Sequence, residues 1–300
     1  MRVRFWGVRG TIPSPGAKTV RVGGNTTCVD LFTSDQQLII LDAGTGIRQL
    51  GKKLMEEHPH RIMGTLLFTH THWDHIQGFP FFIPAFVRNN RFVVVGQKRI
   101  GRKLENVLAG QVVQPYLPFG YRALEADLIV KEIGDSEMMV IGDDTTVQAR
   151  ELDHPGGCLG YRIRNRDVVF AFCTDTSHPT GELNENVLRT AQDADLLVHD
   201  AQYSAEQKAL YPSYGHSSWI DAARVAVAAN VKALALFHHD PDSSDDDLQV
   251  ALAQARDIFP NTFIACEGME FHLPLGRRMP TCFEVTHADA LAVPAFAPVL

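Results

Sequence analysis

The stretch Phe68-Thr69-His70-Thr71-His72-Trp73-Asp74-His75 follows directly on an apolar run, Gly64 to Phe68, and packs four potential metal ligands into six positions. Imidazole nitrogens and a carboxylate oxygen suit Zn²⁺ or a neighbouring first-row cation, and a loop leaving a strand can curl so that such side chains converge. Four side chains this close in sequence can hardly all wrap one tetrahedral centre and leave it open. They divide into two pairs, His70 with His72 and Asp74 with His75, so the spacing predicts two ions, each needing ligands from elsewhere. The polar ends of three predicted strands offer them: His154 after Val147 to Leu152, Asp175 after Val168 to Phe172, and His238 or His239 after Ala233 to Phe237. Asp175, with two oxygens, is a candidate bridge. Zn²⁺ is the first expectation, with Mn²⁺ or Fe²⁺ as alternatives.

The rest of the chain is that of an ordinary globular protein. Its 300 residues are 45% apolar and 21% charged, which excludes a structureless chain, and thirteen of them are histidines. Apolar runs such as Leu38 to Leu41 fall far short of the ~18 residues a membrane span needs, so no membrane partner is expected. Charges within Met1-Arg2-Val3-Arg4-Phe5-Trp6 argue against a secretory signal. The five cysteines, Cys28, Cys158, Cys173, Cys266 and Cys282, are scattered and include no Cys-x-x-Cys pair. They read as reduced thiols in a cytoplasm.

A net charge of -7 disfavours indiscriminate binding to phosphate backbones. Two stretches are nevertheless basic and free of acids: residues 1–29, with Arg2, Arg4, Arg9, Lys18 and Arg21, and residues 88–104, with Arg88, Arg91, Lys98, Arg99, Arg102 and Lys103. Both are expected as solvated faces.

Short β-like runs are predicted at Val3 to Trp6, Cys28 to Phe32, Leu38 to Leu41, Thr65 to Phe68, Phe92 to Val95, Thr145 to Leu152, Gly160 to Ile163, Val168 to Phe172, Leu196 to Val198, Ala233 to Phe237 and Phe263 to Ala265. The clearest helices are Trp219 to Ala229, opened by Ser218 with Asp221 three residues on, and Leu248 to Phe259, opened by Ser244 with Asp247 three residues on. This order predicts an α+β protein with sheets packed between helical layers. Residues 1–275 read as one domain, in which residues 76–153 include an insert expected to serve as a lid or a homodimer surface. Residues 276–300 read as a C-terminal tail.

The order His-x-His-x-Asp-His at His70, His72, Asp74 and His75 resembles the binding motif of the metallo-β-lactamase superfamily position for position, and the resemblance covers nearly the whole chain. It implies an αββα sandwich of two mixed β-sheets flanked by helices, with two divalent ions at one edge. It also implies that His154, Asp175 and His238 complete the ligand set, Asp175 as the bridge. Asp42, in Leu41-Asp42-Ala43-Gly44, matches the buried Asp such proteins place beneath the metal loop, where it would hold a ligand His. Of the adjacent His238 and His239, His238 is preferred. It comes first after the strand, and neighbouring side chains on an extended segment point oppositely.

Several chemistries share this scaffold. Zinc β-lactamases of the best-known type have Cys where Asp175 stands, and flavodiiron reductases have Glu where His72 stands, so both readings lose ground. His199-Asp200-Ala201-Gln202 and Gly215-His216-Ser217-Ser218 resemble two motifs of the ribonuclease Z and cyclic-nucleotide phosphodiesterase branch. That resemblance implies a phosphodiesterase acting through a metal-activated hydroxide on a small nucleotide or short RNA. Asp74, Asp200 and His216 would be its catalytic residues, His216 protonating the leaving oxygen. The segments around Gly7 to Gly16 and Gly23 to Cys28 resemble the entry loop of that branch and make Arg9 and Arg21 candidate phosphate contacts. Two rival expectations are a hydrolase of a lactone, thioester or β-lactam, and a metal-stabilised binding protein without turnover.

Overall fold

Strands that are covered on both faces become continuous apolar runs, and several of the runs above are of that kind. The computed structural model describes residues 1–98, 103–179 and 181–275, together with the backbone of Val285–His287. Its strands are β1 (Arg2–Gly7), β2 (Cys28–Phe32), β3 (Leu38–Leu41), β4 (Met63–Leu67), β5 (Arg91–Gln97), β6 (Asp127–Ile133), β7 (Met138–Ile141), β8 (Thr145–Leu152), β9 (Cys158–Asn165), β10 (Val168–Cys173), β11 (Leu196–Asp200), β12 (Leu234–Phe237), β13 (Thr262–Ile264), β14 (Met269–His272) and β15 (Val285–His287). The helices are α1 (Ile47–Glu57), α2 (Trp73–Ile76), α3 (Leu104–Gln111), α4 (Glu185–Ala191), α5 (Ala205–Leu210), α6 (Trp219–Ala228) and α7 (Asp245–Arg256). Every residue of β3, β10, β11 and β12 is buried.

One sheet has the order β15-β14-β1-β2-β3-β4-β5-β6 and the other β13-β12-β11-β10-β9-β8-β7. Both are mixed. In the first, pairing is antiparallel through β3 and parallel from β3 to β6; in the second, β10 to β13 run parallel and β7 to β10 antiparallel. Phe5, Leu31, Leu41, Phe170, Phe172 and Phe237 belong to the core between the sheets. The far side of the first sheet is covered by Ile47, Leu50 and Leu54 of α1 with Phe79 and Phe82, and that of the second by Val187 of α4 with Ala222, Val225 and Ala226 of α6. The layers are therefore helix, sheet, sheet, helix, as expected.

All eleven predicted strands are present, and Ser218 and Ser244 cap α6 and α7 with full capping boxes. Residues 76–153, expected to include a lid or a homodimer surface, also supply framework: β5 and β6 to the first sheet and β7 and β8 to the second, because here the chain crosses from one sheet to the other. Arg99, Arg102 and most of the 276–300 tail lie outside the described residues; the backbone of β15 pairs with β14.

Topology delivers the histidines to one edge. β3 and β4 are parallel neighbours, so Asp42 and the His70 loop leave the first sheet side by side. In the second sheet β10, β11 and β12 run parallel, and β8 runs the same way with antiparallel β9 between it and β10. Asp175, Asp200, His238 and His154 thus emerge at a common end.

Candidate metal centre

At three of these exits the backbone adopts the left-handed conformation that non-glycine residues rarely take: Asp42 (φ 59°), Asp175 (φ 51°) and His238 (φ 60°). Each such residue costs on the order of 1–3 kcal/mol, a cost typical of positions where the direction of a side chain matters more than local comfort.

The ligand-type atoms of His70, His72 and His154 lie within 4.8 Å of one another, and so do those of Asp74, His75 and His238. Asp175 stands between the two groups. Its Oδ2 is 3.7 Å from His70 Nε2 and 3.8 Å from His154 Nε2, while its Oδ1 is 3.2 Å from His75 Nε2 and 3.3 Å from His238 Nε2. Asp74 Oδ2 is 3.1 Å from His238 Nε2 and 3.2 Å from His75 Nε2, and accepts the backbone N–H of Thr11 at 2.8 Å. All seven predicted ligands are thus brought together, in the two pairs read from spacing. The adjacent His239 turns away and donates from Nε2 to the Ala265 carbonyl at 3.0 Å.

Hydrogen bonds on the far side of three rings fix which nitrogen faces inward. His75 Nδ1 donates to Asp42 Oδ2 (2.8 Å), His154 Nδ1 to the Gly215 carbonyl (3.0 Å) and His238 Nδ1 to Gln202 Oε1 (2.9 Å). Each Nε2 is left to the cluster, the arrangement by which protein groups orient metal-ligating imidazoles. Asp42 is itself held by the N–H (2.8 Å) and hydroxyl of Thr69. His70 Nε2 is buried without a hydrogen-bond partner, an unmet need that a cation in the cluster would satisfy.

The electrostatics agree. Burial opposes charge on His75, but Asp175, Asp74 and Asp42 outweigh it and hold its pKa well above the usual value. Burial would likewise raise Asp74 and Asp175, yet the surrounding histidines keep both carboxyls well below their usual range. This concentration of anionic oxygens and imidazoles can hold divalent metal ions.

Beside the cluster, His216 Nδ1 donates to Asp200 Oδ2 at 2.7 Å. Burial would lower His216, but Asp200 raises it to about 9. Asp200 also accepts backbone N–H groups from Gln202 (3.1 Å), Ser217 (3.3 Å) and Thr176 (3.3 Å), so its position is fixed from several sides. The ring of His216 stacks on His238 at 5.0 Å and meets His154 at 5.2 Å.

The basic residues of the entry loop stand apart. Arg9 is fully buried; its guanidinium donates to the carbonyls of Gly23, Asp240 and Ser243 and lies 3.7 Å from Asp245. With its donors turned to the protein's own carbonyls, Arg9 is a structural clamp rather than a phosphate contact. Arg21 is half exposed and paired with Asp245 and Asp246. The loop reaches the site through its backbone instead. A Cβ on Gly10 would stand 2.4 Å from the His238 ring, so only glycine allows this approach.

A family model described as the beta-lactamase superfamily domain matches residues 37–239, a span running from before Asp42 to His239. The chain belongs to the β-lactamase superfamily. Among curated relatives, a ribonuclease Z of Sulfurisphaera tokodaii is 29% identical over 248 residues, covering 70% of this chain and 82% of that protein. Among solved structures, the short form of human tRNase Z superposes with a TM-score of 0.68 at 19% identity, covering 92% of this chain and 100% of the other. The metallo-β-lactamase fold protein YhfI of Bacillus subtilis gives 0.66 at 20% identity, covering 90% and 97%. These two structures share the fold of this superfamily member.

In the sequence Gln202 is read only as the end of a motif, and Thr11 is assigned no role. Gln202 supports His238, and Thr11 supplies an N–H to Asp74. Only the position of Gln202 two residues after Asp200 could have drawn attention to it; nothing in the sequence marks Thr11.

Proposed function

We propose that this metal-dependent hydrolase cleaves a phosphodiester in a nucleotide or short RNA, with two divalent ions, Zn²⁺ first among the candidates. The observation that carries the reading is the Asp200–His216 pair, 2.7 Å apart and packed against the cluster. An alkoxide leaving group needs a proton, and an imidazole charged at neutral pH by a fixed carboxylate is suited to give one.

In this reading His70, His72 and His154 would hold one ion and Asp74, His75 and His238 the other, with Asp175 placed between the two groups. Such ions would make water nucleophilic at neutral pH and offset negative charge on the phosphoryl oxygens. The protein does the rest. Asp42, Gln202 and the Gly215 carbonyl keep the Nδ1 protons of three ligand histidines in place. Asp200 holds the proton on His216 Nδ1, leaving Nε2 as the atom that presents a proton to the departing oxygen. Asp200 is a positioning residue and His216 the catalytic acid. The likeness to a ribonuclease Z adds support, since the match spans 70% of this chain and 82% of that relative. Among the described residues, Cys28, Cys158, Cys173 and Cys266 are free thiols, which fits the reducing cytoplasm we assign to the protein.

The test is a substrate panel on the metal-loaded protein. Hydrolysis of bis-p-nitrophenyl phosphate or a cyclic nucleotide, with lactones and thioesters left intact, is the expected result. The reverse preference would assign the site to carbon substrates. His70→Ala and Asp175→Ala should each abolish turnover and reduce metal content; normal activity in either variant would sink the proposal.

A further inference from the structure

Three tyrosines lead outward from His216 to the surface. Tyr203 meets His216 edge to face, with centroids 5.7 Å apart and planes at 87°. Tyr211 lies 5.7 Å from Tyr203, and Tyr214 stacks on Tyr211 at 5.4 Å with planes only 14° apart. Tyr203 is buried, whereas Tyr211 is 44% and Tyr214 58% exposed. The outer pair results from local sequence. In Tyr211-Pro212-Ser213-Tyr214 a proline occupies the second position of a turn closed by the Tyr214 N–H on the Tyr211 carbonyl (3.2 Å), which sets the two rings on one side.

The same loop is locked to the metal centre. Gly215 adopts φ +77°, its carbonyl receives the His154 Nδ1 proton, and a Cβ there would stand 2.2 Å from Pro155 Cδ. Rings placed on this turn are therefore held in register with the ligand cluster and with the proton donor. Two stacked tyrosines left half in water gain little as core. They offer a flat π surface one buried ring away from the catalytic acid.

We infer that Tyr211 and Tyr214 form a stacking platform for a nucleobase of the substrate, on the side of the leaving oxygen. The inference rests on the phosphodiesterase reading and deepens it: the substrate class becomes a diester that carries a base next to the scissile phosphate. Every base has a π face, so such a platform accepts bases with little regard to sequence.

The experiment compares a dinucleotide with the same diester lacking the base on the leaving side, using the metal-loaded full chain. Wild-type protein should cleave the dinucleotide with a KM about tenfold lower than the abasic diester. Tyr214→Leu and Tyr211→Leu should erase that preference by raising KM for the dinucleotide alone with kcat nearly unchanged, while Tyr214→Phe and Tyr211→Phe retain it. Equal KM values for the two diesters in the wild type, or a loss in the leucine variants that falls equally on both, would overturn the platform and leave the phosphodiesterase reading standing. Failure of the wild type to cleave either diester would remove that reading and the platform with it.

Discussion

The group that holds the proton on one histidine nitrogen orients the other toward a cation, and here three different acceptors do so: a carboxylate on His75, a side-chain amide on His238 and a backbone carbonyl on His154. Removing an acceptor frees the ring to flip or change tautomer without touching a ligand. Gln202→Leu and Asp42→Ala should each weaken metal binding by about 10–100-fold, measured by competition with a chromophoric chelator. Unchanged affinity in both would mean that the far-side bonds do not orient the rings. At this scale the sequence announced the donors well, because ligand chemistry is written in residue type and strand-end position. It could not place Arg9, since an arginine that clamps three carbonyls inside the protein is spelled the same way as one that greets a phosphate.

Strands and helices carry their information in patterns, and the loops between them carry it in single glycines. Strands β3, β10 and β12 and helices α6 and α7 were legible from apolar runs and Ser-x-x-Asp caps. Strand β6 was not, because Asp127–Ile133 mixes charges with partly exposed apolar residues, and α5 was missed although Ser204 and Gln207 form a capping box, because it buries no residue. The loop before α6 carries both His216 and the carbonyl that receives the His154 proton. Gly215→Ala would place a methyl 2.2 Å from Pro155 Cδ and 2.7 Å from His154 Nδ1 at a positive φ. We expect a loss of about 1–3 kcal/mol in stability and at least about tenfold in turnover, since the displaced loop carries both His216 and the acceptor for His154. Denaturant melts and kinetics on the same preparation check this; wild-type values for both would show that the loop relaxes freely.

For the molecule as a whole, a cation in the cluster would tie together side chains that leave both sheets, so chelation should lower the melting temperature. Metal at a hundred times its Kd contributes about 2.7 kcal/mol to a native state that alone binds it. Acid acts through a separate group. His178 is buried, its Nδ1 accepts the Asn184 N–H at 3.0 Å, and the proton therefore sits on Nε2. Burial, aided by the stacked His199, lowers its pKa to about 3. An unfolded histidine titrates near ~6.5, so the contribution of neutral His178 is fully present above that pH and is lost progressively as pH falls toward 3. Protonation of Nδ1 would also break the bond to Asn184, the residue that caps α4. Urea midpoints of the metal-free protein should therefore fall between pH 7 and pH 5 more steeply than those of His178→Phe, which keeps the ring but cannot titrate. Comparing slopes between the two proteins cancels the metal cluster, which both share. Parallel slopes would show that His178 takes no part in acid sensitivity.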